Sequence, residues 1–231
     1  AAITLLIVGK FFLPVFMKKG IYTIPEFVEK RYSSELKRIL AVFWVSLYVF
    51  VNIASVLYLG ALAMHTVMGV SMTTAIIGLS AFAAAYSLYG GLASIAWTDS
   101  IQVVFLILGG LVTTYLALNT VSGGEGWWQG MQLIYEKAPE KFHMILPKDH
   151  PEYMNLPGLG VLLGGMWVAN LYYWGFNQYI IQRALAAKSL QEAQKGMTFA
   201  AYIKLFVPLI VVLPGICAVV LAPDLSKADQ A

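Results

Sequence analysis

Residues Thr198–Gly215 read TFAAYIKLFVPLIVVLPG. An apolar run of this length makes a helix that crosses a bilayer, yet it carries Lys204. A lysine at the centre of a span costs about 2.5–3.5 kcal/mol on insertion scales, so such residues usually face a partner or a wet cavity. The purpose of the helix turns on what Lys204 faces.

The 231-residue chain is 59% apolar and 12% charged, about half the charged share of a soluble domain. Too little polar surface remains to coat a globule in water. Tyr and Trp are plentiful, as expected of residues at headgroup level. The net charge is only +3, and the basic residues gather beside apolar runs, where anionic lipid headgroups account for them. Nothing resembles a nucleic-acid surface. Cys217, the single cysteine, lies in an apolar run and reads as a small core residue. The chain starts inside one apolar run and stops just after another, so it is expected to be an internal piece of a longer protein.

A hydrocarbon core of about 30 Å needs about 20 apolar residues in a helix. Stretches 39–68, 98–119, 160–181 and 197–221 meet that length, 72–90 is slightly shorter, and 1–17 fits the last part of a sixth span. None alternates polar and apolar residues as a barrel strand would. The expected fold class is therefore an all-α membrane protein with five full spans and one partial. Basic residues set the orientation. Lys18, Lys19, Lys30, Arg31, Lys37 and Arg38 crowd the loop after the first span and place it in the cytoplasm. Alternation puts Arg183, Lys188 and Lys195 there too. It puts loop 120–159 outside, where Lys137, Lys141 and Lys148 are offset by Glu125, Glu136, Glu140, Asp149 and Glu152. In that loop GEGWWQGMQLIYEKAPEKF suits a short amphipathic helix with Trp127 and Trp128 at the interface. The pairs Gly90–Gly91, Gly109–Gly110 and Gly164–Gly165 mark close packing or helix ends, and Pro208 and Pro214 mark kinks.

Polar residues recur at one depth. Asn170 falls at the middle of 160–181, Asn52 beside the middle of 39–68, and Lys204 roughly 7–8 Å inward of the middle of its span at 1.5 Å per residue. Tyr172, Tyr173 and Trp174 follow Asn170 directly. Each amide taken singly reads equally as a bond between helices, and Lys204 as a side chain that snorkels. Taken together they describe a hydrated site. Amides and an ammonium exchange hydrogen bonds with hydroxyls, and an aromatic face stacks on the C–H face of a sugar ring. A metal or haem would want His, Cys or carboxylates, which this depth lacks; His143 and His150 lie in the wet loop. NLYYWGFNQY also reads as an interrupted helix, the kind of break at which transporters bind substrate.

ANLYYWGFNQYIIQRALAAKSLQEAQKG followed by AAYIKLFVPLIVVLPG resembles the sodium:solute symporter family, in its sodium/glucose cotransporter branch. YSLYGGLASIAWTDSIQ and GIYTIPEFVEKRY carry the same resemblance. It implies a LeuT-like fold of two inverted five-helix repeats, with this chain running from the end of core helix two to core helix seven, and loop 120–159 joining the repeats. It implies sodium-coupled symport of a sugar such as galactose or glucose across the bacterial inner membrane by alternating access, without an organic cofactor and without enzymatic activity. At matched positions it implies that Asn52, Asn170 and Lys204 contact sugar hydroxyls, that Tyr173 stacks beneath the ring and closes the cytoplasmic path, and that Trp174 packs beside this gate. Asp99 would act in sodium coupling; its sequence position equally suits a helix N-cap. Sodium ligands would lie mainly on helices outside this chain. Cargo of another kind, or a membrane sensor with an added signalling domain, are the alternatives.

Overall fold

The computed structural model describes residues 1–143, 145–150, 153 and 158–222. Glu152, one of the acids assigned to the external loop, lies outside the described residues. The described regular structure is helical, and the chain forms two compact units, Ala1–Val15 with Gln102–Ala231, and Phe16–Ile101.

The second unit is the simpler. After the first helix, α1 (residues 2–18), the chain turns and enters α2, Ile24–Arg31. Thr23 caps α2 by accepting from the Glu26 amide at 3.3 Å, and the Glu26 carboxylate accepts from the Tyr22 amide at 3.0 Å. These are orphan donors that a helix start must satisfy. Lys30 donates back to the carbonyls of Lys19 and Gly20 at 3.0 and 3.4 Å. Ser33 caps α3, which spans Ser34–Met68. Here Glu29 accepts from Lys37 and from Ser34 Oγ. The Lys37 bond first, and the Ser34 bond second, hold the Glu29 carboxyl below its ordinary range. Along α3 only Ala61 is buried. A helix so apolar and so uncovered is suited to lipid or to further protein, not to water.

The run Met72–Val121 is interrupted at Gly91, which has φ 54° and ψ −150°. Only glycine occupies this region without strain. The break divides the run into α4 (72–90) and α5 (92–121). The sequence places a loop over 91–97, but LASIAW contains good helix formers, and one residue suffices for the turn. Asp99 therefore sits inside α5 and is not its N-cap. Thr98 Oγ1 donates back to the carbonyls of Ser94 and Ile95 at 3.1 and 2.9 Å, as hydroxyls within helices do.

In the first unit, α5 meets the last helix, α10 (Leu190–Leu221), at close range. A Cβ on Gly110 would lie 2.7 Å from Ile210 Cβ, and Thr114 Oγ1 reaches across to the Leu209 carbonyl at 3.0 Å. The predicted amphipathic helix in loop 120–159 is α6, Trp127–Lys137. Its Ile134 joins Leu118, Ala138, Ile216 and Cys217 in one buried cluster, while Trp127 and Trp128 stay exposed. Cys217 is fully buried, as a small core residue should be. Ser189 caps α10 by accepting from the Glu192 amide at 3.2 Å, so this helix starts seven residues before the expected 197.

Three helical runs among the described residues are long and apolar enough to cross a membrane: Ser34–Met68, Met72–Val121 and Leu190–Leu221. The expected span 160–181 is not one of them. It divides into α7 (Leu159–Leu163), α8 (Gly165–Leu171) continuing into a π turn at Tyr172–Phe176, and α9 (Gln178–Leu185). Gly164 and Asn177 have non-helical backbones, with ψ −95° and 113°.

Candidate functional site

The break at Asn177 organises the site. Its side-chain oxygen accepts from the Tyr179 amide at 3.1 Å and so starts α9. Upstream, the Asn177 amide bonds back to the Tyr172 carbonyl at 2.9 Å, five residues away, which is the π turn's bond. Such turns occur often at functional positions because the extra residue re-aims side chains. This one carries Tyr173 and Trp174.

Trp174 is the hub of the group. Its Nε1 donates to Asn170 Oδ1 at 3.3 Å. Asn170 Nδ2 in turn donates to the Met166 carbonyl at 2.8 Å, which fixes the orientation of the amide. From α10, Lys204 Nζ lies 5.2 Å from the centre of the Trp174 ring. A cation over an indole face gains about 0.5–1 kcal/mol when exposed and more when dry. Tyr173 meets the same ring edge to face, with centroids 4.9 Å apart and planes at 83°. The structure thus brings together Asn170, Tyr173, Trp174 and Lys204. Lys204 itself is exposed, and its ammonium stands beside the Trp174 ring near the helix break. Asn170 has one amide hydrogen and further lone-pair capacity left for a ligand.

Asn52 and Asp99 belong to the other compact unit. Asn52 is exposed and lies in a second π turn, Tyr48–Ile53. Asp99 is partly buried within α5. Arg183 donates to the Tyr179 carbonyl at 2.8 Å and lies over the Tyr179 ring.

Sequence reasoning missed what stands behind the aromatic turn. A third π turn, Val8–Phe12, interrupts α1. Phe12 meets Phe176 edge to face at 5.4 Å, and a Cβ on Gly175 would lie 3.1 Å from Val8 Cγ2. One sequence signal existed: Pro14 in an apolar helix removes an amide donor and disturbs the preceding turn.

Long apolar helices, and a polar–aromatic group at a broken helix, are features of helical membrane transporters. The chain belongs to the Sodium:solute symporter family, whose profile matches residues 1–228. It is 62% identical over 224 residues to a sodium/glucose cotransporter of Vibrio parahaemolyticus, covering 97% of this chain and 41% of that protein. It is 35% identical to the uncharacterized symporter YidK of Escherichia coli, covering 100% of this chain and 41% of the relative. With the human sodium/myo-inositol cotransporter 2 it shares 33% identity over 96% of this chain and 34% of the relative. The chain therefore spans about two fifths or less of the length of these relatives.

Proposed function

We propose that the full-length protein is a sodium-coupled symporter for a sugar of the galactose or glucose type, working by alternating access in the bacterial inner membrane. The observation that carries this reading is the set Asn170, Trp174 and Lys204, with Tyr173 on its edge, at a break in an otherwise apolar helix. Its chemistry fits a hydroxyl-rich ring. The ammonium and the amide donate to hydroxyls, and an aromatic face receives the C–H face. The Vibrio relative, a sodium/glucose cotransporter, supports sodium and glucose as the pair.

In this proposal Asn52, Asn170 and Lys204 contact the sugar, Tyr173 closes its path to the cytoplasm and Trp174 braces that gate. Asp99 takes part in sodium coupling, and the sodium ligands lie mainly beyond this chain. The fold of the whole protein is a LeuT-like pair of inverted repeats, to which this chain contributes the stretch from the end of core helix two to core helix seven, with loop 120–159 outside. Coupling then requires sodium to bind the outward and inward states unequally, since equal affinity shifts nothing.

A polyol cargo is the second reading, favoured by the myo-inositol relative; it uses the same hydroxyl chemistry. The test is labelled-galactose uptake by the full-length protein in proteoliposomes, with and without an inward sodium gradient. Saturable uptake that needs sodium is expected. Uptake of myo-inositol but not galactose selects the second reading, and uptake of neither overturns both.

A further inference from the structure

The carbonyl of Gly9 has lost its donors within α1. In the π turn the Leu13 amide bonds back to Val8 and not to Gly9. The residue five positions after Gly9 is Pro14, which has no N–H. Gly9 is buried, and a buried carbonyl left alone costs about as much as a lost hydrogen bond. Gln194 supplies the missing donor: its Nε2 lies 2.9 Å from the Gly9 oxygen, across 185 positions of sequence. Met197, nearly one turn further along α10, packs on the same glycine, 3.3 Å from where a Cβ would stand.

What Gln194 fixes in this way is the turn that abuts the site. Val8, fully buried, fills the space left by the missing side chain of Gly175. Phe12 holds Phe176. Gly175 and Phe176 directly follow Tyr173 and Trp174. We infer that Gln194 is a positioning residue for the aromatic turn: by capping the orphaned Gly9 carbonyl it holds Val8 and Phe12 against Gly175 and Phe176, and so sets where Tyr173 and Trp174 stand. α10 then grips the turn at two points, directly through Lys204 and through α1 by way of Gln194. The two points are ten residues apart, roughly 15 Å along the helix, so together they fix tilt as well as position.

Two variants test this. Gln194→Leu keeps most of the side-chain volume but has no donor. Gln194→Glu donates only when its carboxyl is protonated. An open groove lined by Gln191, Gln194, Lys195, Thr198, Phe199 and Tyr202 gives water access to this position, and Lys195 is paired with Glu192 at 3.1 Å. The readout is acrylamide quenching of Trp174 in the full-length protein in nanodiscs, taken as the difference from Trp174→Phe in the same background. Native protein should show quenching of Trp174 that does not change with pH. Gln194→Leu should raise it by about twofold through local opening. Gln194→Glu should be raised at neutral pH and return to native as the pH falls towards the carboxyl range. This reversal within one preparation decides the matter if Gln194→Leu does not fold. Native quenching in a folded Gln194→Leu, or no reversal with pH in Gln194→Glu, overturns the inference. A transport arm rests on the proposed function: in Gln194→Leu the galactose concentration for half-maximal uptake should rise by about tenfold. If native protein takes up no sugar, that reading fails, while quenching still decides the role of Gln194.

Discussion

Residues 34–68 and residues 159–185 both carry an asparagine at the expected middle of a span, and both contain a π turn. The first stays one helix from Ser34 to Met68; the second breaks at Gly164, and again at Asn177 after its π turn. Residues 34–59 contain no glycine or proline, whereas Gly164, Gly165 and Gly175 punctuate the second stretch and Asn177 caps a new start. A π turn alone re-aims side chains without ending a helix. A π turn next to a residue able to cap a new helix opens the backbone and gathers polar groups around the gap. Both stretches carry aromatic contacts, Phe43–Trp44–Tyr48 in the first and Tyr173–Trp174 in the second, but the contact with Lys204 belongs to the broken one.

The largest effect is expected from Lys204→Ala, which removes the cation over Trp174 and a donor to the proposed sugar. Galactose affinity should fall about tenfold to a hundredfold, the range of a hydrogen bond to a charged group, with normal membrane insertion. Tyr173→Ala should speed loss of preloaded sugar from proteoliposomes by about tenfold if the ring closes the path; unchanged efflux removes the gate. A third test uses two glycines whose added Cβ would stand 3.1 Å from a neighbour. In Gly175→Ala the neighbour is the buried, β-branched Val8, and the cost should be about 1–3 kcal/mol, the usual range for overpacking. In Gly60→Ala on α3 the neighbour is the free end of Leu79, which can move, and alanine's helix preference offsets the strain. Thermal melts of the two variants should separate, and equal melts would show that the broken stretch is no more tightly packed.

The smallest effect concerns Glu29, outside the spans. Its folded pKa is lowered, first by the hydrogen bond from Lys37 and then by that from Ser34. Its contribution is present above the ordinary carboxylate pKa and is lost as pH falls through the lowered folded value. Protection factors for amide exchange at the start of α3 should therefore fall at acid pH in native protein, and less so in Glu29→Gln.

The apolar helices were legible in the sequence because hydropathy and length act locally. Gly91, the helix containing Trp127 and Trp128, and the interruption in NLYYWGFNQY were legible for the same reason: each rests on residues close together in the chain. Helix boundaries were less so. Nothing in LASIAW marks a loop, so α5 starts at 92 and Asp99 lies within it. The joining of Trp174 to Lys204 depends on two elements separated by thirty positions, and that of Gln194 to Gly9 on a much longer separation. No local pattern carries such pairings, although Pro14 marks the carbonyl that needs a distant partner. The π turn at Tyr48–Ile53 has no glycine or proline to announce it.

The group around Trp174 is where sugar is proposed to bind. The most direct test is equilibrium binding of labelled galactose, in sodium, to the full-length protein and to its Lys204→Ala variant in nanodiscs. Binding by the native protein should be saturable and should weaken about tenfold or more in the variant. Equal affinity in two folded preparations would contradict it and place the sugar elsewhere.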